Sequence, residues 1–354
     1  MTTTLPRVRE SGGRGVPEQP KQRHAGIKAI GLLLAVIALV LLAAASVAVG
    51  AKGIPLSTVW SALFDFHGLD DQIVVRELRL PRTVIGIGVG AALGLAGALM
   101  QALTRNPIAE PGILGVNQGA SAAVVTAIGF LGIGGVTGYV WFAFLGAAVV
   151  SVAVYLLGSR GPSGATPVRL ALAGTAISAA LTAYISAMQL LYPQVFDQFR
   201  FWQVGSLAGR DAGVLYQVGP FLLAGIVLAL LLARPLNAIA LGEDTARSLG
   251  AHLGRTRALG AIAITLLCGS ATAAAGPISF VGLAMPHVAR AITGPDQRWL
   301  LPYSMVLSPV LLLGADILGR VVVSPGELEV GLVTAFLGAP VFIMLVRRKR
   351  LAKL

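Results

Sequence analysis

Few side chains in this sequence have types or spacings that could do chemistry. Asp316 and Arg320 stand four residues apart inside a long apolar run, which puts them on one helix face and allows an ion pair. An acid at such a depth is also what a proton-driven carrier would use, because a charge at the centre of a membrane span costs about 2.5–3.5 kcal/mol on insertion scales. The sequence leaves both readings open. His287 follows Pro286 in another apolar run, a setting that suits packing. Cys268 is the single cysteine, which excludes an internal disulfide and any cysteine cluster for zinc or an iron–sulfur centre. No metal site is expected. Four histidines and one cysteine, scattered as they are, supply neither a nucleophile–base pair nor a ligand set. G-x-x-x-x-G-K-[ST], H-E-x-x-H and G-x-S-x-G are all absent. Catalysis by this chain is not expected, and any energy source must sit on another chain.

The elements that carry these residues follow from composition. The chain has 354 residues, 56% of them hydrophobic and 12% charged, with a mean hydropathy of +0.81. Soluble domains carry about 25% charged residues, so an all-α polytopic membrane protein is predicted. A spanning helix needs about 20 apolar residues. Candidate runs fall at 29–50, 83–103, 112–131, 138–158, 168–191, 213–233, 257–275, 278–293, 299–319 and 329–346, about ten spans in all. The eighth is short and holds Pro286 and His287, so it is not expected to cross as a simple helix. Residues 1–25 lack bulky apolar side chains and read as a disordered tail; residues 26–354 form the transmembrane domain. The first run is too long for a cleaved signal peptide and follows a long polar stretch, so it is retained.

Charge then gives orientation. With ten spans and both termini cytoplasmic, twenty of the 27 Lys and Arg and six of the 15 acids fall on the inner side. That distribution obeys the positive-inside rule. The sequence pI of about 10.7 therefore reports topology, and no nucleic-acid partner is implied.

Three stretches stand out from the apolar background. Gly86, Gly90 and Gly94 recur every four residues in the second run, a spacing that lets a neighbouring helix approach closely. "RNPIAEPGILGVNQGAS" (105–121) interrupts two apolar runs; Pro107 and Pro111 end regular helix, and Gly112 and Gly115 permit a tight turn. By itself it reads as a polar helix connection. "NAIALGEDTARSLGAHLGRTR" (237–257) is the longest polar stretch on the inner side. It reads either as a plain loop or as a short helix with an acidic first turn, a Gly250 stop and a stripe of Ala240, Leu241, Thr245 and Leu249.

Together, residues 79–121, 241–257, "GPISFVGLAMPHVAR" (276–290) and "ADILGR…GELEVGLVTAFLGAPVFI" (315–343) resemble the FecCD-type permeases of ATP-binding-cassette importers for ferric siderophores, haem and cobalamin. The likeness runs from about residue 30 to the end. It implies a type II importer permease fold, a second permease subunit as an identical or sister chain, two ATPase subunits and an extracytoplasmic substrate-binding protein. ATP and Mg would be held by the ATPase, with no cofactor in this chain. The resemblance makes Gly242, Glu243, Ala246, Leu249 and Gly250 the ATPase-coupling helix and Arg79, Arg82 and Arg320 the docking residues for the binding protein. It places Asn106, Ile108, Pro167 and Val168 at the cytoplasmic gate, although small polar residues are commoner at the last two positions. Thr175, Ser178, Thr182, Ser186, Met188 and Gln189 suit the wide, charge-poor path that a bulky chelate needs. Ferric siderophore is the expected substrate, cobalamin and haem the alternatives; a secondary carrier working without an ATPase is the reading from another class.

Overall fold

The computed structural model describes residues 21–50, 52–160, 166–248, 250 and 252–347. Among these, fourteen helices follow one another and no strand occurs. They are α1 (Lys21–Ala48), α2 (Leu56–Phe64), α3 (Asp70–Thr104), α4 (Val116–Leu131), α5 (Val136–Ser159), α6 (Pro167–Leu191) and α7 (Pro193–Val204). The second half holds α8 (Ala212–Leu231), α9 (Ala233–Ala240), α10 (Glu243–Ser248), α11 (Leu253–Ala275), α12 (Val281–Thr293), α13 (Gln297–Val322) and α14 (Val330–Arg347).

The ten apolar runs map onto α1, α3, α4, α5, α6, α8, α11, α12, α13 and α14. Seven of these are long and apolar enough to cross a membrane, while α4, α12 and α14 have 16, 13 and 18 residues. At 1.5 Å per residue α12 covers about 20 Å of a hydrocarbon core about 30 Å thick. The eighth run is thus a partial helix that starts at depth, after Phe280 turns the chain with φ 68°. One boundary differs from expectation: α1 begins at Lys21, inside the segment read as tail. Lys, Gln and Arg are good helix formers and extend the helix beyond its apolar part.

The bundle is organised around α3, whose most apolar window is 83% buried. The glycine spacing explains why. A Cβ on Gly90 would stand 2.6 Å from Pro309 Cα, and one on Gly94 2.5 Å from the Ser304 carbonyl, so α13 lies directly on this face of α3. Further along, Gly97 meets the Gly282 carbonyl of α12. Backbones this close leave no room for side chains, and dispersion contacts between them replace the hydrophobic drive that lipid does not supply.

Four of the fourteen helices, α2, α7, α9 and α10, have no counterpart among the predicted spans, and two of them, α2 and α7, are not expected from the sequence as helices in any form. In α2, Val59 and Ala62 face inward while Leu56, Trp60 and Phe64 are exposed, the pattern of a helix lying in a membrane interface. In α7, Val195, Phe199 and Trp202 are buried. Each is too short to register as a span.

Candidate functional site

At one end of the bundle, four elements converge on an arginine cluster. Asp316 of α13 is fully buried, and Arg82 of α3 reaches it with Nε at 3.1 Å from Oδ2 and Nη2 at 2.8 Å from Oδ1. Arg320 Nη2 lies 2.8 Å from Asp316 Oδ2, so the spacing of four residues does produce an ion pair. Arg320 also donates to the Ser46 and Val49 carbonyls of the α1 end at 2.9 and 2.8 Å, and to Ser46 Oγ at 2.8 Å. Arg79 donates to the Val47 and Ala48 carbonyls at 3.2 and 2.6 Å. The last carbonyls of a helix have no intrahelical donors; here two arginines from other elements supply them. Arg82 Nη1 is 2.7 Å from Glu327 Oε2.

The three arginines expected at a docking surface are therefore together, but not equally placed. Arg79 and Arg320 are 6% and 2% exposed and serve inside the chain, while Arg82 and its partner Glu327 reach the edge. All three line a cavity of about 330 Å³ with Lys52, Gly50 and Glu327. Ser46 and Glu327 were missed by sequence reasoning, because nothing local in their surroundings marks them.

The opening of the second region is set by Arg105, which ends α3 in the left-handed conformation with φ 51°. Asn106 N then bonds the Gln101 carbonyl at 3.1 Å, and Asn106 Oδ1 accepts from Ile108 N at 3.1 Å. A single turn of 3-10 helix follows at Pro111–Leu114, closed by Gly115 at φ 70°; Gly112 is not left-handed. Two contacts with α11 fix the path of this loop. Leu103 packs on Gly260, whereas Asn117 Oδ1 accepts from Thr272 Oγ1 at 2.9 Å. Twelve residues separate Gly260 from Thr272, or about 18 Å along α11. The chain thus climbs back into the bundle before α4 begins. Irregular backbone is tolerated at membrane depth only against protein or a wet cavity, and Ala109, Pro111 and Leu114 are accordingly buried.

This loop abuts the start of α6. Thr104, Leu114 and Leu170 line one small void, and Gly174 packs on the Ile113 carbonyl. Pro167 opens α6 behind the Thr166 cap, whose Oγ1 accepts from Arg169 N at 3.4 Å. Ile108 and Val168 are 38% and 68% exposed. Beyond them α6 is the least covered long helix, 11% buried over its apolar window. Thr175, Thr182 and Ser186 are exposed on it at helical spacing, with Ser178 and Gln189 half-buried. Met188 departs from the expected path: it is 4% exposed and packs on Gly129, because its position on α6 faces α4.

The third region lies at the end opposite the arginines. Asn237 of α9 donates to Asp296 Oδ1 at 2.6 Å and accepts from Gln297 N at 2.8 Å, which ties α9 to the start of α13. Gly242 (φ 108°) turns the chain into α10, and Gly250 (φ 80°) follows its end. The helical reading of this stretch is therefore the correct one. Its inward face is different from the expected stripe: Ala246 packs with Ile239 and Leu253, while Ala240, Leu241 and Thr245 are exposed. Glu243 begins the helix, and Leu249 lies outside the described residues. Among the described residues no group of three or more His, Cys, Asp or Glu is placed to hold a metal ion.

Seven helices long and apolar enough to cross a membrane, shorter apolar helices among them and an irregular connection packed back along α11 mark a multi-pass membrane protein. The chain belongs to the FecCD transport family, whose model matches residues 35–348. It is 52% identical to the ferric enterobactin transport system permease protein FepD of Escherichia coli (strain K12), over 90% of this chain and 94% of that one. It is 40% identical to the probable siderophore transport system permease protein YfiZ of Bacillus subtilis (strain 168), over 92% and 98%. A solved structure described as an inward-facing conformation of a metal-chelate type ABC transporter matches with a TM-score of 0.78 and 28% identity, covering 89% of this chain and 98% of that chain. As a member of this family the chain is a transport permease.

Proposed function

We propose that this chain is the transmembrane permease subunit of an ATP-driven importer that carries ferric siderophore complexes across the inner membrane into the cytoplasm. The observation that carries the reading is the 52% identity to a permease named for ferric enterobactin, sustained over nearly the whole of both chains. The working unit is two permease subunits, two ATPases that hold ATP and Mg, and an extracytoplasmic binding protein. Both termini of this chain are cytoplasmic, in line with its charge distribution.

Each region then has a task. The exposed Leu241, just before α10, and Thr245, within it, offer the ATPase a small surface in the stretch whose coupling residues are Gly242, Glu243, Ala246, Leu249 and Gly250. The binding protein docks over the arginine cavity; Arg82 meets it, while Arg79 and Arg320 lend positive potential from behind and hold α1 in place. Rim charges of this kind act mainly on association and salt dependence. The Thr175–Thr182–Ser186 face of α6 lines the path between two permease subunits. Asn106, Ile108, Pro167 and Val168 narrow its cytoplasmic mouth.

The test is uptake in cells with and without this chain, offered labelled iron on siderophores and labelled cobalamin or haem in parallel. Loss of siderophore-iron uptake alone is expected. Loss of cobalamin or haem uptake alone replaces the substrate and keeps the mechanism. Full uptake of all three without the chain refutes the reading.

A further inference from the structure

The connection between α13 and α14 brings Glu327 to the edge of the arginine cavity. Its side chain is 30% exposed, and its Oε2 accepts from Arg82 Nη1 at 2.7 Å. What an incoming acid can find there depends on the donors the three arginines have left, out of five N–H groups in each guanidinium. Arg320 has all five engaged. Its Nε donates to the Asp316 carbonyl, Nη1 to the Ser46 and Val49 carbonyls, and Nη2 to Ser46 Oγ and Asp316 Oδ2. Arg79 has three on the carbonyls of Val47, Ala48 and Lys52 and is 6% exposed. Lys52 is paired with Asp71. Arg82 turns Nε and Nη2 inward to Asp316, so Nη1 is the arm that reaches the edge. Glu327 occupies that arm.

Resting on the docking reading above, we infer that Glu327 is a built-in stand-in for an acidic side chain of the binding protein: it holds Arg82 in the idle permease and gives it up when the partner's carboxylate arrives. Three observations support this. Asp316 already grips Arg82 from inside through two nitrogens, so the cluster does not need Glu327 to hold together. A pair open to water contributes little, so displacing Glu327 is easy. The motion is also small, because the next residue is anchored: Leu328 N donates to the Gly319 carbonyl at 3.0 Å, and only the Glu327 side chain has to swing. Docking then exchanges one carboxylate for another on the same donor. Glu327 also offsets part of the positive charge that three arginines and one buried aspartate show to an acidic surface, which slows steered association. Both effects keep docking weak and brief.

The test uses the full permease complex in lipid nanodiscs. The probe is the extracytoplasmic protein that the same cells retain on immobilised ferric siderophore, and its association and dissociation rates are read at low and high salt. Glu327→Gln is expected to associate severalfold faster at low salt and to dissociate severalfold more slowly at either. Glu327→Asp keeps the charge with a shorter reach to Arg82, so it should associate at the parent rate and still dissociate more slowly. A purely structural Glu327 would not split the two rates in this way. Arg82→Lys keeps a cation beside Asp316 but gives up the arm at the edge, and should weaken binding. If Arg82→Lys weakens binding while Glu327→Gln binds no more tightly than the parent, the stand-in is overturned and the docking reading stands. If Arg82→Lys binds as the parent does, docking lies elsewhere and both are overturned.

Discussion

Asp316 has no exposed surface, and both of its oxygens are taken by guanidinium groups, Arg82 from α3 and Arg320 from its own helix. Neutralising it leaves Arg320 buried without a carboxylate and Arg82 with Glu327 alone. Removing one partner of a buried pair costs about 3–5 kcal/mol, so Asp316→Asn should lower the melting temperature sharply in detergent. Glu327 is bonded to the same Arg82 but is 30% exposed, and pairs open to water contribute about 0–1 kcal/mol. Glu327→Gln should therefore barely move the melting temperature. Equal shifts in the two variants would mean that Asp316 does not hold the cluster together. The sequence makes half of this legible. A spacing of four residues shows the Asp316–Arg320 pair, whereas Arg82 lies 234 positions away from Asp316 and joins it only through the packing of α3 on α13. The capping of α1 by Arg79 and Arg320 was hidden for the same reason: orphan carbonyls are a property of any helix end, and nothing in "SVAVG" says who satisfies them.

Elements long enough to span were legible because twenty apolar residues are a strong signal; α2 and α7 were not, since each buries one short stripe and leaves the rest to lipid or solvent. The re-entrant loop was half legible. Pro107, Pro111 and Gly115 announced irregular backbone, but its climb along α11 depends on Asn117 finding Thr272, a contact between distant segments. Glycine spacing, by contrast, translated directly into packing, and it yields a paired prediction. On Gly97 an added methyl meets the Gly282 carbonyl, backbone that cannot yield, so Gly97→Ala must push α12 off α3. Overpacking of this kind costs about 1–3 kcal/mol. Gly88 sits on the same helix with only Leu222 Cδ1 at 3.5 Å, and Gly88→Ala should be neutral or slightly stabilising through helix propensity. Thermal unfolding of the two variants separates a local clash from a general intolerance of substitution in α3. If both destabilise alike, close backbone approach at Gly97 is not what holds α12.

At the scale of the whole molecule, the direction of transport rests on which end of the bundle faces the cytoplasm. The fold has two chemically distinct ends: Asp65 near the arginine cavity, with a side chain 77% exposed, and Asp244 on α10, fully exposed. The excess of Lys and Arg on the α10 side argues that this side is cytoplasmic. The sole native thiol, Cys268, is 2% exposed inside α11, so it should stay silent towards a membrane-impermeant maleimide and leave single introduced cysteines readable. Asp65→Cys should label from outside in cells whose outer barrier has been opened, while Asp244→Cys should label only after the inner membrane is breached. The reverse order would invert the topology and remove the arginine cavity from any binding protein. A second arm examines the partner at the other end. If α10 with Leu241 and Thr245 seats the ATPase, assembly of the complex should protect Asp244→Cys from the reagent and leave Asp65→Cys unchanged. Labelling of Asp244→Cys at the same rate in the assembled complex would move the ATPase contact away from α10 and leave the exposed face of that helix without its proposed purpose.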